Sequence, residues 1–420
     1  MFTSPRTGKQ TNDSSDLREE NRVNISSSRT LAVLSLSHFS QHMYVGRSIL
    51  YPHVANALGL NYTQIGVATG LASTASGFLQ IVFSLAGRFV PRRLLIALGN
   101  IFMSLASFGI GVSNRFLSFV SSQIVGGVGT AAQHPVSVSI ISERFENKEV
   151  STPIGVFYGL GYLGNILSPI ILTAIALAFG WRSALFALAV FPLTTGILLI
   201  AYLRKDKYSG KSRAAKHSLS LWSDTKTALR IKGAVAIIAA QAFLAGGTGQ
   251  GVIATYMPLF LRNSLYLDQL QVSFIYSLAM LGGVIGTILF GRYANKLGYL
   301  KTTMICTSIA SVSVFLLSLQ GAFNFALIPH LIIVGFTTFP ISSLMQSSLS
   351  AFSDPEQRDI LIGLYFTIGY GVSSLWSTLI GLSIDVFGAF IPAWYMMSGL
   401  SVFALILQTL AYKQRKTMAT

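Results

Sequence analysis

The sequence predicts an all-α membrane protein with twelve transmembrane helices in two pseudo-symmetric six-helix bundles. Three observations lead there. The 420 residues are 52% hydrophobic and only 10% charged, with a mean hydropathy of +0.60, whereas a soluble domain carries about 25% charged residues. Apolar runs recur along the chain, each near the ~20 residues that cross a bilayer as a helix. A membrane β-barrel would show short alternating segments instead. The two halves of the chain also repeat one another at a single offset. Phe83–Arg93 lies over Gly291–Lys301, and Gly155-Val-Phe-Tyr over Gly363-Leu-Tyr-Phe, each at 208 residues (291 − 83 and 363 − 155). Gly161-Tyr162 falls on Gly369-Tyr370, and Gly180 on Gly388, at the same offset. One offset holding over separate regions implies a duplicated unit.

Taken in order, the spans are expected at 31–58, 62–86, 94–113, 116–141, 152–179, 182–203, 233–261, 269–291, 302–320, 325–351, 360–384 and 390–412. Short turns part them, as at Asn114-Arg115 and Gly180-Trp181-Arg182. Residues 1–30 are polar and Ser-rich, without the apolar core of a signal peptide, and are expected to form a disordered cytoplasmic tail. Residues 31–203 form the first bundle and 233–412 the second, with a closing tail at 413–420. The basic linker 204–232 is expected to end in a short helix at the membrane surface. Ser223 or Asp224 caps it, and Leu221, Trp222 and Leu229 rest on lipid.

The net charge of +16 suggests nucleic acid at first sight. The basic residues instead sit between apolar runs. Of 30 Lys and Arg, 26 fall in 1–30, 87–93, 143–150, 204–232, 292–301, 353–359 and 413–420. The opposite loops hold Arg115, Arg182 and Arg262, and Arg47 lies within a span. The positive-inside bias accounts for this and puts both termini in the cytoplasm of a multi-pass protein of the cell membrane. The bilayer and a small-molecule substrate are the expected partners, with no nucleic acid. Cys306, the single cysteine, lies in an apolar run and supports neither a disulfide nor a metal cluster.

Gly291-Arg-Tyr-Ala-Asn-Lys-Leu-Gly298 resembles the G-x-L-x-D-R-x-G-R-K loop of the major facilitator superfamily, with Asn295 at the Asp position. In the first-half copy Leu85 and Arg88 fit, but Gly87 stands at the Asp position and Val90 at the second Gly. The resemblance covers essentially the whole chain after residue 30. It implies the major facilitator fold, a monomeric transporter working by alternating access, and a cavity lined by the first, fourth, seventh and tenth spans. It also implies a cytoplasmic gate at Arg88, Arg92, Asn295 and Lys296, lacking the acid that helps latch that gate in the family. Within the superfamily the chain resembles the fosmidomycin-resistance branch in three pieces. These are His38-Phe39 followed by Tyr44, Tyr62-Thr-Gln-Ile-Gly66, and Gly127-Val-Gly-Thr-Ala-Ala-Gln-His134-Pro135. Gln41-His42 and Val136 depart from that branch, which has an Asn-Asp pair and an acid there.

The first span, Leu31–Leu58, holds most of the chemistry. A charge in hydrocarbon costs roughly 2.5–3.5 kcal/mol, so Arg47 is expected to face protein or water. At about 100° per residue, Ser37, Ser40, Gln41, Tyr44, Arg47, Ser48 and Tyr51 share an arc of roughly 120°. The Arg47 guanidinium suits a forked contact with a carboxylate or phosphonate. The other reading has it snorkelling to the outer surface. His38 and His42, about 140–180° around from Arg47, are expected to meet a neighbouring helix. Gln123, Thr130, His134 and Ser137 fall within about 60° of one another on the fourth span. Gln241, Thr248 and Thr255 recur at seven-residue steps on the seventh, and His330 and Thr337 lie on the tenth, before Pro340.

All fourteen acids lie in the tail, in loops or at span ends, which removes a buried carboxylate relay. If protons drive transport, His38, His42 or His134 carries them; otherwise each makes one hydrogen bond inside the bundle. No Walker loop, nucleophile–base–acid set or metal-spaced cluster is evident, so neither an enzyme nor a cofactor is expected. The expectation is a secondary active transporter of a small organic anion or drug-like solute. Arg47 supplies the charge, while Gln41, Tyr44, Ser48, Tyr51, Gln123, Thr130, Gln241 and Thr248 orient the cargo. A uniporter or anion exchanger, a drug efflux antiporter and a transporter-like sensor remain as alternatives. The antiporter would want a buried acid, and the sensor a further domain.

Overall fold

Hydrocarbon offers no partner to a backbone N–H or C=O, so a long apolar run crosses it as a helix that satisfies its own. The computed structural model describes residues 13–87, 89–145, 151–203 and 221–416, which hold helices and no strand. In order they are α1 (Asp13–Val45), α2 (Tyr51–Leu58), α3 (Tyr62–Ala86), α4 (Arg92–Val112), α5 (Phe116–Ala131), α6 (Gln133–Arg144), α7 (Ser151–Phe179), α8 (Trp181–Tyr202), α9 (Leu221–Leu229), α10 (Ala234–Leu244), α11 (Gln250–Asn263), α12 (Gln269–Leu297), α13 (Tyr299–Leu317), α14 (Leu327–Phe352), α15 (Pro355–Phe387) and α16 (Ile391–Lys416). Among the described residues ten stretches are long and apolar enough to cross a membrane, with α5 and α6 counted as one. The first span, α1 with α2, and the seventh, α10 with α11, complete twelve. The repeat is visible in the helix ends: Arg144 and Phe352, and likewise Phe179 and Phe387, are 208 residues apart (352 − 144 and 387 − 179).

One expectation is corrected at the start. α1 begins at Asp13, inside the segment expected to be disordered. Low apolar content argues against a packed core, but it does not stop a helix from making its own hydrogen bonds. Residues 1–12 lie outside the described residues. In the linker, α9 forms and packs against α10 and α15. It begins at Leu221, ahead of both expected caps. The side chains of residues 221–224 lie outside the described residues.

Both half-initial spans are broken. In the first, a 3-10 segment at Gly46–Leu50 joins α1 to α2, with Pro52 in the first turn of α2. Proline has no N–H and cannot continue an α-helical ladder. Around the break, side chains supply partners for the main chain: Ser168 Oγ donates to Met43 O at 2.8 Å and Arg47 Nη1 to Tyr44 O at 2.8 Å. In the seventh span, Gly246, Gly247 and Gly249 fall between α10 and α11. Each glycine weakens a helix by roughly 1 kcal/mol against alanine.

Within the first half α4 packs on α8 and α5, and α1 on α7; within the second α12 packs on α14, and α13 on α14 and α16. Two long seams join the halves, α3 with α15 and α7 with α12. In the first seam an atom added at Gly70 would sit 2.5 Å from Ser374 Cα, so only glycine fits there. On the face opposite the termini one apolar cluster runs across both halves. It packs Ile49, Leu50 and Ile65 with Tyr256, Phe260 and Trp394. Toward the terminal face the buried clusters belong to single halves, one around Leu34, Ile96 and Phe157, the other around Ile237, Leu344 and Leu361. The molecule is therefore sealed on one face. Asp385 of α15 adds to the seal by capping α3 across the seam. It accepts from Tyr62 N at 3.0 Å, Thr63 N at 2.7 Å and Thr63 Oγ1 at 2.5 Å.

Candidate functional site

A cavity of about 260 Å³ lies between the halves, below the seal. Arg47 is its chemical centre. The 3-10 segment aims this side chain into the bundle, where it is 7% exposed. Nη1 donates to Tyr44 O, Nη2 to Gln123 Oε1, and Nε has no partner. The guanidinium carbon lies 3.7 Å from the centre of the Tyr44 ring, a cation–π contact. Gln123 Nε2 donates in turn to Tyr51 Oη at 3.0 Å. Arg47 is thus oriented by neutral groups alone, and among the described residues no Asp or Glu lines the cavity. A buried guanidinium without a counter-charge suits an anion, because desolvation penalises an unpaired charge.

The residues expected on the first and fourth spans divide cleanly. Gln41, Tyr44, Arg47, Ser48, Tyr51, Gln123 and Thr130 all line the cavity. Ser37 does not: it donates to Gln133 Oε1 at 2.9 Å and accepts from Asn100 Nδ2 at 2.7 Å, inside the first half. Ser40 and Ser137 are buried and do not line the cavity either. The arc holds toward the sealed face, and nearer the terminal end α4 and α6 cover it.

On the seventh span Thr255 alone of the three expected residues lines the cavity. Gln241 accepts from Tyr365 Oη at 2.8 Å and lies outside the cavity. Thr248 is buried within the helix break and is also outside the cavity. The seven-residue spacing assumed an unbroken helix, whereas α10 ends at Leu244 and α11 starts at Gln250. Gln250 of α11 joins Thr255 at the cavity wall. On the tenth span His330 Nε2 contacts Ser313 O at 2.8 Å, away from the cavity, and Phe339 lines it in place of Thr337.

The second span supplies a wall that sequence reasoning missed. Thr69, Ser73, Ser76 and Gln80 all face the cavity, with Thr130 Oγ1 donating to Ser76 Oγ at 3.1 Å. Their spacing of four, three and four is one helical face, so the signal was present. Asn165, Tyr276 and Tyr370 come from α7, α12 and α15.

His38, His42 and His134 form one cluster. His38 Nδ1 lies 2.9 Å from Phe157 O, His38 Nε2 lies 3.1 Å from His42 Nε2, and His42 Nδ1 lies 3.0 Å from Asn165 Oδ1. His42 and His134 line the cavity; His38 packs behind them with no exposed surface. Of the expected gate residues, Arg88 lies outside the described residues. Arg92 is buried at the start of α4, and Asn295 and Lys296 are exposed on α12. Asn295 Oδ1 accepts from Tyr299 Oη of its own half.

The family model of the Major Facilitator Superfamily matches residues 34–378. The chain is 34% identical over 175 residues to the probable L-galactonate transporter of Escherichia coli K12, which covers 40% of this chain and 38% of that protein. It is 24% identical over 313 residues to multidrug resistance protein 2 of Bacillus subtilis 168, covering 72% of this chain and 76% of that one. Among solved structures, a point mutant of the nucleoside transporter NupG superposes with a TM-score of 0.77 at 13% identity, over 91% of this chain and all of that one. Two six-helix halves around a central cavity, matched by the family model over most of the chain, make this protein a member of the Major Facilitator Superfamily.

Proposed function

We propose that this protein is a secondary active transporter of a small, hydroxyl-bearing organic anion, held by Arg47 and moved by alternating access. One observation carries the reading: a buried guanidinium, held at both Nη atoms by neutral partners, stands in a cavity with no acidic side chain among its described residues. The polar wall of Ser73, Ser76, Gln80, Thr130 and Gln250 is suited to bond cargo hydroxyls. The name of the L-galactonate relative, a sugar acid, supports the same class of cargo. With both termini in the cytoplasm, as the distribution of Lys and Arg argues, the sealed face is the outer one and the conformation is inward-facing. His42 and His134 at the cavity are the groups available for proton coupling. Arg92, Asn295 and Lys296 serve as gate residues when the inner face closes.

A second reading, drug efflux, draws support from the multidrug relative. A cationic drug would meet Arg47 with no carboxylate to offset it, and the cavity chemistry favours the anion. The test is uptake of L-galactonate into liposomes holding the purified protein, with counterflow at equal pH on both sides. Arg47→Ala is expected to abolish counterflow, and Arg47→Lys to weaken it, since a lysine loses the forked contact. Counterflow unchanged in both variants would remove Arg47 from the site.

A further inference from the structure

A main-chain carbonyl only accepts, so the contact of His38 Nδ1 with Phe157 O at 2.9 Å puts a hydrogen on Nδ1. In a neutral ring His38 Nε2 is then a lone pair. His42 Nε2 stands 3.1 Å from it, and two lone pairs do not approach so closely, so this contact holds one hydrogen. Its origin is decided on the far side of His42, where Nδ1 lies 3.0 Å from the Asn165 amide. With the amide oxygen toward the ring, as in this structure, Nδ1 must donate. The hydrogen between the rings is then an extra proton, and the pair is a monocation. With the amide turned by half a revolution, its NH2 donates to Nδ1. His42 then keeps its one hydrogen on Nε2, and the pair is neutral. The two amide orientations have the same shape and differ only in which end donates.

We propose that His38, His42 and Asn165 form a carrier for one proton, whose loading is tied to a half-turn of the Asn165 amide. Asn165 is a positioning residue in this device, since it acts through His42. The geometry supports a defined path. His42 and Asn165 line the cavity while His38 has no exposed surface, so the proton enters and leaves through His42. His38 is held in place: its ring stacks on Phe157 at 4.2 Å, and any side chain at Gly161 would overlap it.

The groups facing the pair carry no negative charge. α6 presents His134, with ring centres 5.1 Å apart from His38, and α7 presents Tyr158 and Tyr162. α15 presents Tyr370 across the cavity, α4 brings Asn100 to Ser37, and α8 packs Phe191 on Phe39. On the first span itself the nearest charge is Arg47, in the 3-10 segment after α1. An anionic cargo is therefore the natural counter-charge of the loaded pair. On the reading that Arg47 holds such a cargo, the anion and the proton favour each other's binding reciprocally, which makes the protein a proton–anion symporter.

The test needs no cargo. Full-length protein labelled with 15N-histidine is placed in lipid nanodiscs and titrated between about pH 4 and 8, where imidazoles change charge. His38→Gln and His42→Gln assign the signals. The expected result is one shared step, in which His42 Nδ1 changes from donor to acceptor as pH rises while His38 Nδ1 stays a donor. Asn165→Asp can only accept and is expected to hold the pair cationic throughout; Asn165→Leu is expected to erase the change at Nδ1. The proposal is overturned if wild-type His42 keeps one tautomer and one charge over the range, if the two rings titrate independently, or if Asn165→Asp leaves the step where it was. The cargo reading is judged separately by L-galactonate counterflow at equal pH, so the two can fail independently.

Discussion

Removing the Asp385 carboxylate should loosen the sealed face. Asp385 accepts three hydrogen bonds across the seam, from Tyr62 N, Thr63 N and Thr63 Oγ1, at 2.5–3.0 Å. All three come from the first turn of α3, where main-chain N–H groups have no partner within the helix and the helix dipole favours a negative charge. A hydrogen bond to a charged group is worth about 1.5–3 kcal/mol when removed. The site is partly exposed, and water replaces much of that, so about 2 kcal/mol for the set is the reasonable magnitude. Opening this face breaks all three bonds, so Asp385→Ala should shift the closed-to-open equilibrium by about 30-fold, at 1.4 kcal/mol per tenfold. Asp385→Asn keeps an acceptor and should shift it by about fivefold. Spin labels at Leu117 and Phe325, both exposed near this face, read the separation of the halves. Cys306 is fully buried and need not be replaced. Identical distance distributions in wild type and Asp385→Ala would refute the reasoning and leave the apolar cluster as the whole seal.

Gln241 and Gln250 should separate structure from binding. Gln241→Ala removes one of the acceptors of Tyr365 Oη, with Ser342 remaining, and should lower stability by about 1 kcal/mol, read as Tm, with cargo affinity kept. Gln250→Ala should do the reverse, weakening L-galactonate binding by about fivefold at unchanged Tm. Gln123→Glu puts a carboxylate on Arg47 Nη2 and should cut binding of the same anion by about tenfold or more, measured by calorimetry. Gly70→Val forces the α3–α15 seam apart and should cost about 1–3 kcal/mol, seen as a lower Tm.

Much of this molecule was legible in its sequence because hydropathy and helical period are local properties. The spans, the duplicated halves and the polar face from Gln41 to Tyr51 follow from them. The wall from Thr69 to Gln80 was legible by the same spacing. Gln241 stands outside the cavity while Thr255 lines it: a period carries along a helix only while the helix is unbroken, and the glycines after Leu244 break it.

What the sequence alone determined is the class of protein, its two halves and the isolated cation in its first span. Tertiary structure alone decided which face is sealed, which rings share a hydrogen, and where Asp385 finds its donors. Asp385 and Thr63 are 322 residues apart, and His42 and Asn165 are 123 apart. Contacts at such separations leave no mark on a local pattern. They exist only once the bundles have packed, and a different packing of the same helices would pair the same side chains differently.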